Sequence, residues 1–153
     1  MTKLKEGDKA PGFTAKDQDG NTVSLSDFKG KSLVLYFYPQ DDTPTCTKEA
    51  CNFRDNYQSL LTQGFSVVGV SFDTEKSHKK FIKKYNLPFP LISDPDKKII
   101  EAYGVWGEKM LFGRNYMGTL RTTFIIDGNG VISHIIEKVD SGNASQQVLD
   151  LVK

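Results

Sequence analysis

This sequence predicts an α/β fold in which a mixed central sheet carries helices on both faces. Three features of the chain support that expectation. Residues 33–38 and 65–72 are nearly continuous apolar runs, too short for buried helices, and read as strands enclosed on both faces. Each is followed by a stretch with helical spacing of its apolar residues, so strands and helices alternate through the first two-thirds of the chain. The last third holds a strong hairpin signal and one further helical pattern. At 153 residues the chain is sized for one domain, spanning 1–153, which buries roughly 70% of the surface its unfolded form exposes.

The elements follow in order. Residues 13–16 and 22–25 flank Asp17-Gln-Asp-Gly-Asn21, whose Asp-Gly and Asn tolerate the positive φ of a tight turn, and predict a short N-terminal β-hairpin. The run 33–38 is closed by Pro39 and forms the central strand. Thr43 is placed to cap a helix with Pro44 at its first position, and Ala50, Phe53, Tyr57, Leu60 and Leu61 keep helical spacing until Gly64, which predicts one helix over 44–62. After the strand 65–72, Asp73 or Thr74 opens a helix with Phe81, Ile82 and Tyr85 inward and Lys76, Lys79, Lys80, Lys83 and Lys84 outward. A short strand at 91–93 and a short helix at 97–103 come next. Residues 104–118 read as a long loop carrying Trp106, Met110, Phe112 and Tyr116, with the aromatics expected to pack over the sheet. Strands at 120–127 and 131–139 bracket Asp127-Gly-Asn-Gly130, and Asn143 is placed to cap a final helix through 152. A thioredoxin-like sandwich accommodates this order.

Charge and composition narrow the function. Twenty Lys+Arg against nineteen Asp+Glu leave a net charge of +1. No overall field therefore draws the chain to nucleic acid or to an anionic membrane. The lysine series 76–84 reads as a solvated helix face, and no apolar run approaches the roughly 18–20 residues needed to span a bilayer. The charged N-terminal segment shows no secretory pattern, so the cytosol is the expected location. In that compartment thiols stay reduced, which makes Cys46 and Cys51 reactive or inert thiols rather than a permanent staple. Gly30-Lys31-Ser32 imitates the end of a phosphate-binding loop, but it precedes a strand instead of following one.

With Thr43 as cap and Pro44 at the first helical position, Cys46 falls at the third, where unpaired N–H groups and the helix dipole favour negative charge. Thiolate is the nucleophilic form of sulfur, so Cys46 is the candidate reactive residue. A free cysteine is otherwise most often a small buried hydrophobe. On an unbroken helix the Cα of Cys51 stands roughly 8–9 Å from that of Cys46, beyond the about 7 Å that a disulfide tolerates. The spacing is wrong for a Cys-x-x-Cys oxidoreductase. With His78 and His134 the only histidines, and both expected to be structural, the ligands are too few for zinc.

Pro39-Gln-Asp-Asp-Thr43-Pro-Thr-Cys46, set after a buried strand and opening a helix, resembles the active-site pattern of the peroxiredoxins. Arg121 in Arg-Thr-Thr-Phe-Ile-Ile-Asp127 resembles that family's second-strand arginine. Cys51 resembles the resolving thiol of the Q-type, or bacterioferritin-comigratory, subgroup, and the likeness runs from Ala10-Pro-Gly-Phe13 through residues 103–108 to the final helix. Thr45 stands where the subgroup commonly has Gly. The resemblance implies a thioredoxin-dependent peroxidase without cofactor or metal. Cys46 would become a sulfenic acid and Cys51 would close an intramolecular disulfide, later reduced by thioredoxin or a similar dithiol. It implies Cys46, Cys51, Thr43 and Arg121 as catalytic residues. Pro39, Thr43, Glu49 and Arg121 would form the peroxide site, with Glu49 either orienting Arg121 or simply solvated. It also implies a cytoplasmic monomer that acts on hydroperoxides and has no nucleic-acid or membrane partner. The rival reading is a non-catalytic redox sensor or holdase that uses the same two thiols as a switch.

Overall fold

The computed structural model describes residues 2–152, the side chain of Leu111 excepted. The N-terminal hairpin comprises β1 (Thr14–Lys16) and β2 (Thr22–Ser24). The central strand β3 (Ser32–Phe37) runs into the helices α1 (Pro44–Asp55) and α2 (Tyr57–Thr62). Then come β4 (Phe65–Ser71), α3 (Glu75–Tyr85), β5 (Leu91–Ser93) and α4 (Lys98–Ala102). The chain continues with β6 (Trp106–Leu111), β7 (Arg114–Thr119), β8 (Thr122–Ile126), β9 (Ile132–Ile136) and α5 (Ala144–Leu151). Seven strands form one sheet in the order β2-β1-β5-β4-β3-β8-β9. Neighbours β3, β4 and β5 are parallel, while β8 against β3, β9 against β8 and β1 against β5 are antiparallel, which makes the sheet mixed.

The period-2 pleat sends alternate residues of β3 to opposite faces. Val34 and Tyr36 join Ala50, Phe53, Leu60, Phe81 and Val148 from α1, α2, α3 and α5 in one core. Leu33, Leu35 and Phe37 join Ile99, Ile100 and Tyr103, from and beside α4, in the other. Helices therefore cover both faces, unequally. Gly69 on β4 lets Tyr36 and Leu91 close over the backbone, since a Cβ there would meet Leu91 Cδ2 at 2.7 Å and Tyr36 Cζ at 2.9 Å.

Three expectations need correction. The helix expected over 44–62 breaks at Asn56, whose backbone leaves the helical region at φ −110°, ψ 9°; the Asn52 carbonyl there accepts both the Asn56 side-chain amide at 2.9 Å and the Asn56 N–H at 3.2 Å. The expected loop 104–118 is instead a separate two-stranded hairpin, β6 with β7, turned through Phe112 and Gly113, both at positive φ. Its aromatics do not all pack: Trp106 stacks edge-on against Phe72, but Phe112 is 96% exposed and Tyr116 also faces outward. Finally, Asn143 occupies the cap position of α5 without capping it. The Ser145 N–H is taken by Asn52 Oδ1 of α1 at 2.8 Å.

Candidate active site

Strand β3 ends beside β8, with Phe37 opposite Thr122, so Arg121 is delivered next to the segment that leads into α1. That segment is held from several sides. The Asp41 carboxylate accepts from Tyr38 Oη at 2.6 Å and Ser77 Oγ at 2.8 Å and pairs with His78 Nδ1 at 2.7 Å, while the Asp41 N–H donates to Asp73. His78 Nε2 meets the Ile92 carbonyl at 2.9 Å, so both ring nitrogens of this buried histidine are engaged. Asp42, in the left-handed region at φ 58°, is bound by Lys84 and Tyr85 from α3. Asp41, Asp73 and His78 each bring a potential ligand atom within 4.8 Å of the others. Those atoms are already committed to hydrogen bonds that fasten the loop, and the cluster works as a clamp.

Beyond the clamp, α1 begins as its sequence predicts, with Thr43 in extended conformation and Pro44 in the first turn. The Thr43 hydroxyl, however, does not cap the helix; it donates to the Gln40 carbonyl at 3.0 Å. The first-turn N–H groups thus lack a side-chain acceptor from Thr43, and Cys46 stands at the third position, 2% exposed. Arg121 Nη2 donates to Cys46 Sγ at 3.1 Å, and Arg121 Nη1 donates to Glu49 Oε1 at 2.7 Å. Glu49, one turn after Cys46, is fully buried rather than solvated. Its carboxylate holds the guanidinium in a fixed plane against the sulfur. Burial pushes the Glu49 carboxyl up to about 7 while Arg121 pulls the other way. Burial also works against the charge of Arg121, but Glu49 and Cys46 raise its affinity for the proton above the ordinary value. Around neutral pH the cluster therefore holds a permanent cation against sulfur, neutralised only in part by Glu49.

Among the expected site residues, the structure brings Arg121 into direct contact with both Cys46 and Glu49. Pro39 is partly buried in the clamped segment, and Thr43 is turned towards Gln40. Cys51 is partly buried further along α1, and both cysteines are free thiols. Sequence reasoning did not single out the clamp residues Asp41, Asp42 and Asp73, or Lys109 on β6. Asp41 and Asp42 lie just before Thr43 in sequence, but apart from Tyr38 their partners lie more than thirty residues away. Lys109 donates to the Thr119 carbonyl at 3.1 Å. Burial, then Arg121, lower its affinity for its proton, with Cys46 opposing.

Residues 6–135 match the AhpC/TSA family. The chain is 52% identical over 136 residues to a putative peroxiredoxin bcp of Coxiella burnetii, covering 89% of this chain and 90% of that protein. It is 42% identical over 153 residues to peroxiredoxin Bcp of Escherichia coli K12, covering 100% and 98%. Among solved structures, Xylella fastidiosa PrxQ superposes with a TM-score of 0.92 at 29% identity over 99% of this chain and 97% of that one. A structure of Xanthomonas campestris bacterioferritin comigratory protein, described in connection with its alkyl peroxide reduction activity, superposes at 0.85 with 30% identity over 99% and 98%. The family match over most of the chain, and relatives of this identity along its length, place the protein in the AhpC/TSA family, alongside the Bcp and peroxiredoxin Q proteins.

Proposed function

We propose that the chain is a thiol peroxidase that reduces hydrogen peroxide and organic hydroperoxides at Cys46. The observation that carries this reading is the 3.1 Å bond from Arg121 to Cys46 Sγ at the start of α1. The helix start and the guanidinium favour negative charge on sulfur, and Glu49 fixes the direction from which that stabilisation comes. The thiolate attacks the terminal peroxide oxygen. An S–O bond forms as the O–O bond breaks, sulfur is oxidised to a sulfenic acid, and the other oxygen leaves as hydroxide or alkoxide. Pro39 and Thr43 shape the pocket beside the sulfur.

In this reading Cys51 resolves the sulfenic acid: its thiol condenses with it, water leaves, and an intramolecular disulfide forms. Wound α1 keeps the two Cα atoms roughly 8–9 Å apart, so the helix unwinds locally before the bond closes. Thioredoxin or a similar dithiol then supplies two electrons and two protons. We assign residues 1–153 to one domain and the protein to the cytoplasm as a monomer. Among the described residues, no helix is long and apolar enough to cross a membrane. Relatives named as peroxiredoxins along the whole chain favour this enzyme over a non-catalytic sensor.

Peptide mass mapping after one equivalent of peroxide tests the assignment. Wild type should yield a disulfide between residues 46 and 51, and Cys51→Ser a sulfenic or mixed product at Cys46. Cys46→Ser should show no rapid reaction; fast peroxide consumption by that variant would show that the nucleophile is another group.

A further inference from the structure

We propose that Asp42 is a positioning residue for Cys46: through its bonds to Lys84 and Tyr85, the end of α3 fixes the direction in which the chain enters α1 and so presents the sulfur to Arg121. This inference rests on Cys46 being the attacking sulfur. Asp42 stands in the left-handed region at φ 58°. A residue with a Cβ enters that region at a cost, and aspartate is among the few that tolerate it. Both carboxylate oxygens are tied to consecutive residues of α3: Oδ2 accepts from Lys84 Nζ at 2.8 Å and Oδ1 from Tyr85 Oη at 2.9 Å. Two bonds from different directions fix the orientation of the side chain as well as its position. Lys84, then Tyr85, hold the Asp42 carboxyl below its ordinary range, so the tether stays charged at neutral pH.

The end of α3 is itself firmly placed. The Tyr85 ring packs edge-on against buried Phe81 at 5.5 Å, and the Tyr85 carbonyl accepts Arg54 Nη1 from the last turn of α1 at 2.8 Å. One end of α3 thus touches both the entry to α1 and its last turn. Downstream of Asp42 there is little slack. Thr43 is extended, its carbonyl accepts the Thr47 N–H at 2.8 Å, and Cys46 follows within that first turn. A change of direction at Asp42 is therefore carried to the sulfur by a wound helix. Arg121 arrives instead from the sheet, beside β8, so its 3.1 Å bond to Sγ depends on where α1 starts. The Lys84 and Asp42 side chains are 58% and 42% exposed. An ion pair so exposed adds little to stability, so its effect falls on the geometry of the site rather than on folding.

The test is single-turnover oxidation of Cys46 by hydrogen peroxide in a Cys51→Ser parent, with the ultraviolet absorbance of the Cys46 thiolate read in parallel. Lys84→Met/Tyr85→Phe removes the tether without touching the loop, and Asp42→Ala removes it together with the tolerance for left-handed backbone. Each should slow oxidation by about 10-fold, since a misplacement of about 1 Å costs up to about 100-fold. Each should also lower the thiolate absorbance at neutral pH while melting close to the parent. The triple variant should be no slower than Asp42→Ala, because the substitutions act along one path. Asp42→Asn keeps the backbone tolerance and an oxygen that accepts from Tyr85, and should recover the parent rate to within about 3-fold. A parent rate in either tether variant, an unaltered thiolate absorbance, additive losses in the triple variant, or a loss in Asp42→Asn as large as in Asp42→Ala would overturn the proposal. Fast peroxide consumption by Cys46→Ser would instead remove the nucleophile itself, and with it the reading on which this inference rests.

Discussion

Replacing Asn52 with alanine should accelerate closure of the disulfide between Cys46 and Cys51. Asn52 follows Cys51 directly, and its amide ties α1 to the start of α5: Nδ2 donates to the Gly142 carbonyl at 3.0 Å and Oδ1 accepts the Ser145 N–H at 2.8 Å. Unwinding α1 far enough to bring Cys51 to Cys46 breaks both bonds. At about 1 kcal/mol net for each, the pair favours the wound helix by about 2 kcal/mol. Removing it raises the unwound population roughly 30-fold, at 1.4 kcal/mol per factor of ten. The assay is a stoichiometric peroxide pulse followed by acid quench at successive times, with the disulfide read by peptide mass. Where unwinding limits resolution, the rate should rise by up to that factor, and urea unfolding of the reduced protein should show the stability lowered by about 2 kcal/mol. If stability falls by that amount while the disulfide closes at the wild-type rate, the unwinding step does not pass through Asn52 and the reasoning fails.

Further outcomes follow from the same geometry. Burial raises the Glu49 carboxyl from its ordinary 4.5 to about 7, so between those values the native state holds a proton that the unfolded chain has released. Stability contributed by this group is full below 4.5 and falls as pH rises through 7. The change is about 3 kcal/mol at 1.36 kcal/mol per pH unit. Glu49→Gln should flatten that slope in urea titrations across the window, and an unchanged slope would contradict the assignment. His78→Ala leaves the buried Asp41 carboxylate without one of its hydrogen-bond partners and should cost about 1–3 kcal/mol by urea unfolding; a loss near zero would mean that the clamp carries little stability. Gly69→Ala forces a methyl against Leu91 and Tyr36 and should cost about 1–3 kcal/mol in thermal unfolding. An unaltered melting temperature would show that the contact relaxes freely.

Much of this architecture was legible because apolar runs and turn chemistry are local signals. Residues 33–38 and 65–72 had to be central strands, and Thr43-Pro44 marked the start of α1 to the residue. The break at Asn56 was hidden because Tyr57, Leu60 and Leu61 continue the same helical spacing past it, and the interruption is confined to the dihedral angles of one residue. The β6–β7 ribbon escaped detection for a different reason. Met110, Phe112 and Met117 are exposed, so neither strand shows an apolar-in, polar-out alternation, and Gly113 alone hinted at the turn. Within the site, Cys46 and Arg121 were found through pattern and resemblance. The burial of Glu49 left no local mark, because a glutamate in the first turns of a helix is ordinarily solvated. The Asp41–His78 clamp joins segments distant in sequence, and such a pairing arises only when the sheet assembles.

The most direct measurement is the second-order rate constant for oxidation of Cys46 by hydrogen peroxide in Arg121→Met. With the guanidinium gone, sulfur loses its 3.1 Å donor and Glu49 its 2.7 Å partner, and the rate should fall by about 10²–10³. A rate constant equal to that of the wild type, in a variant that remains folded, would contradict the assignment of Arg121 as the group that makes this sulfur reactive.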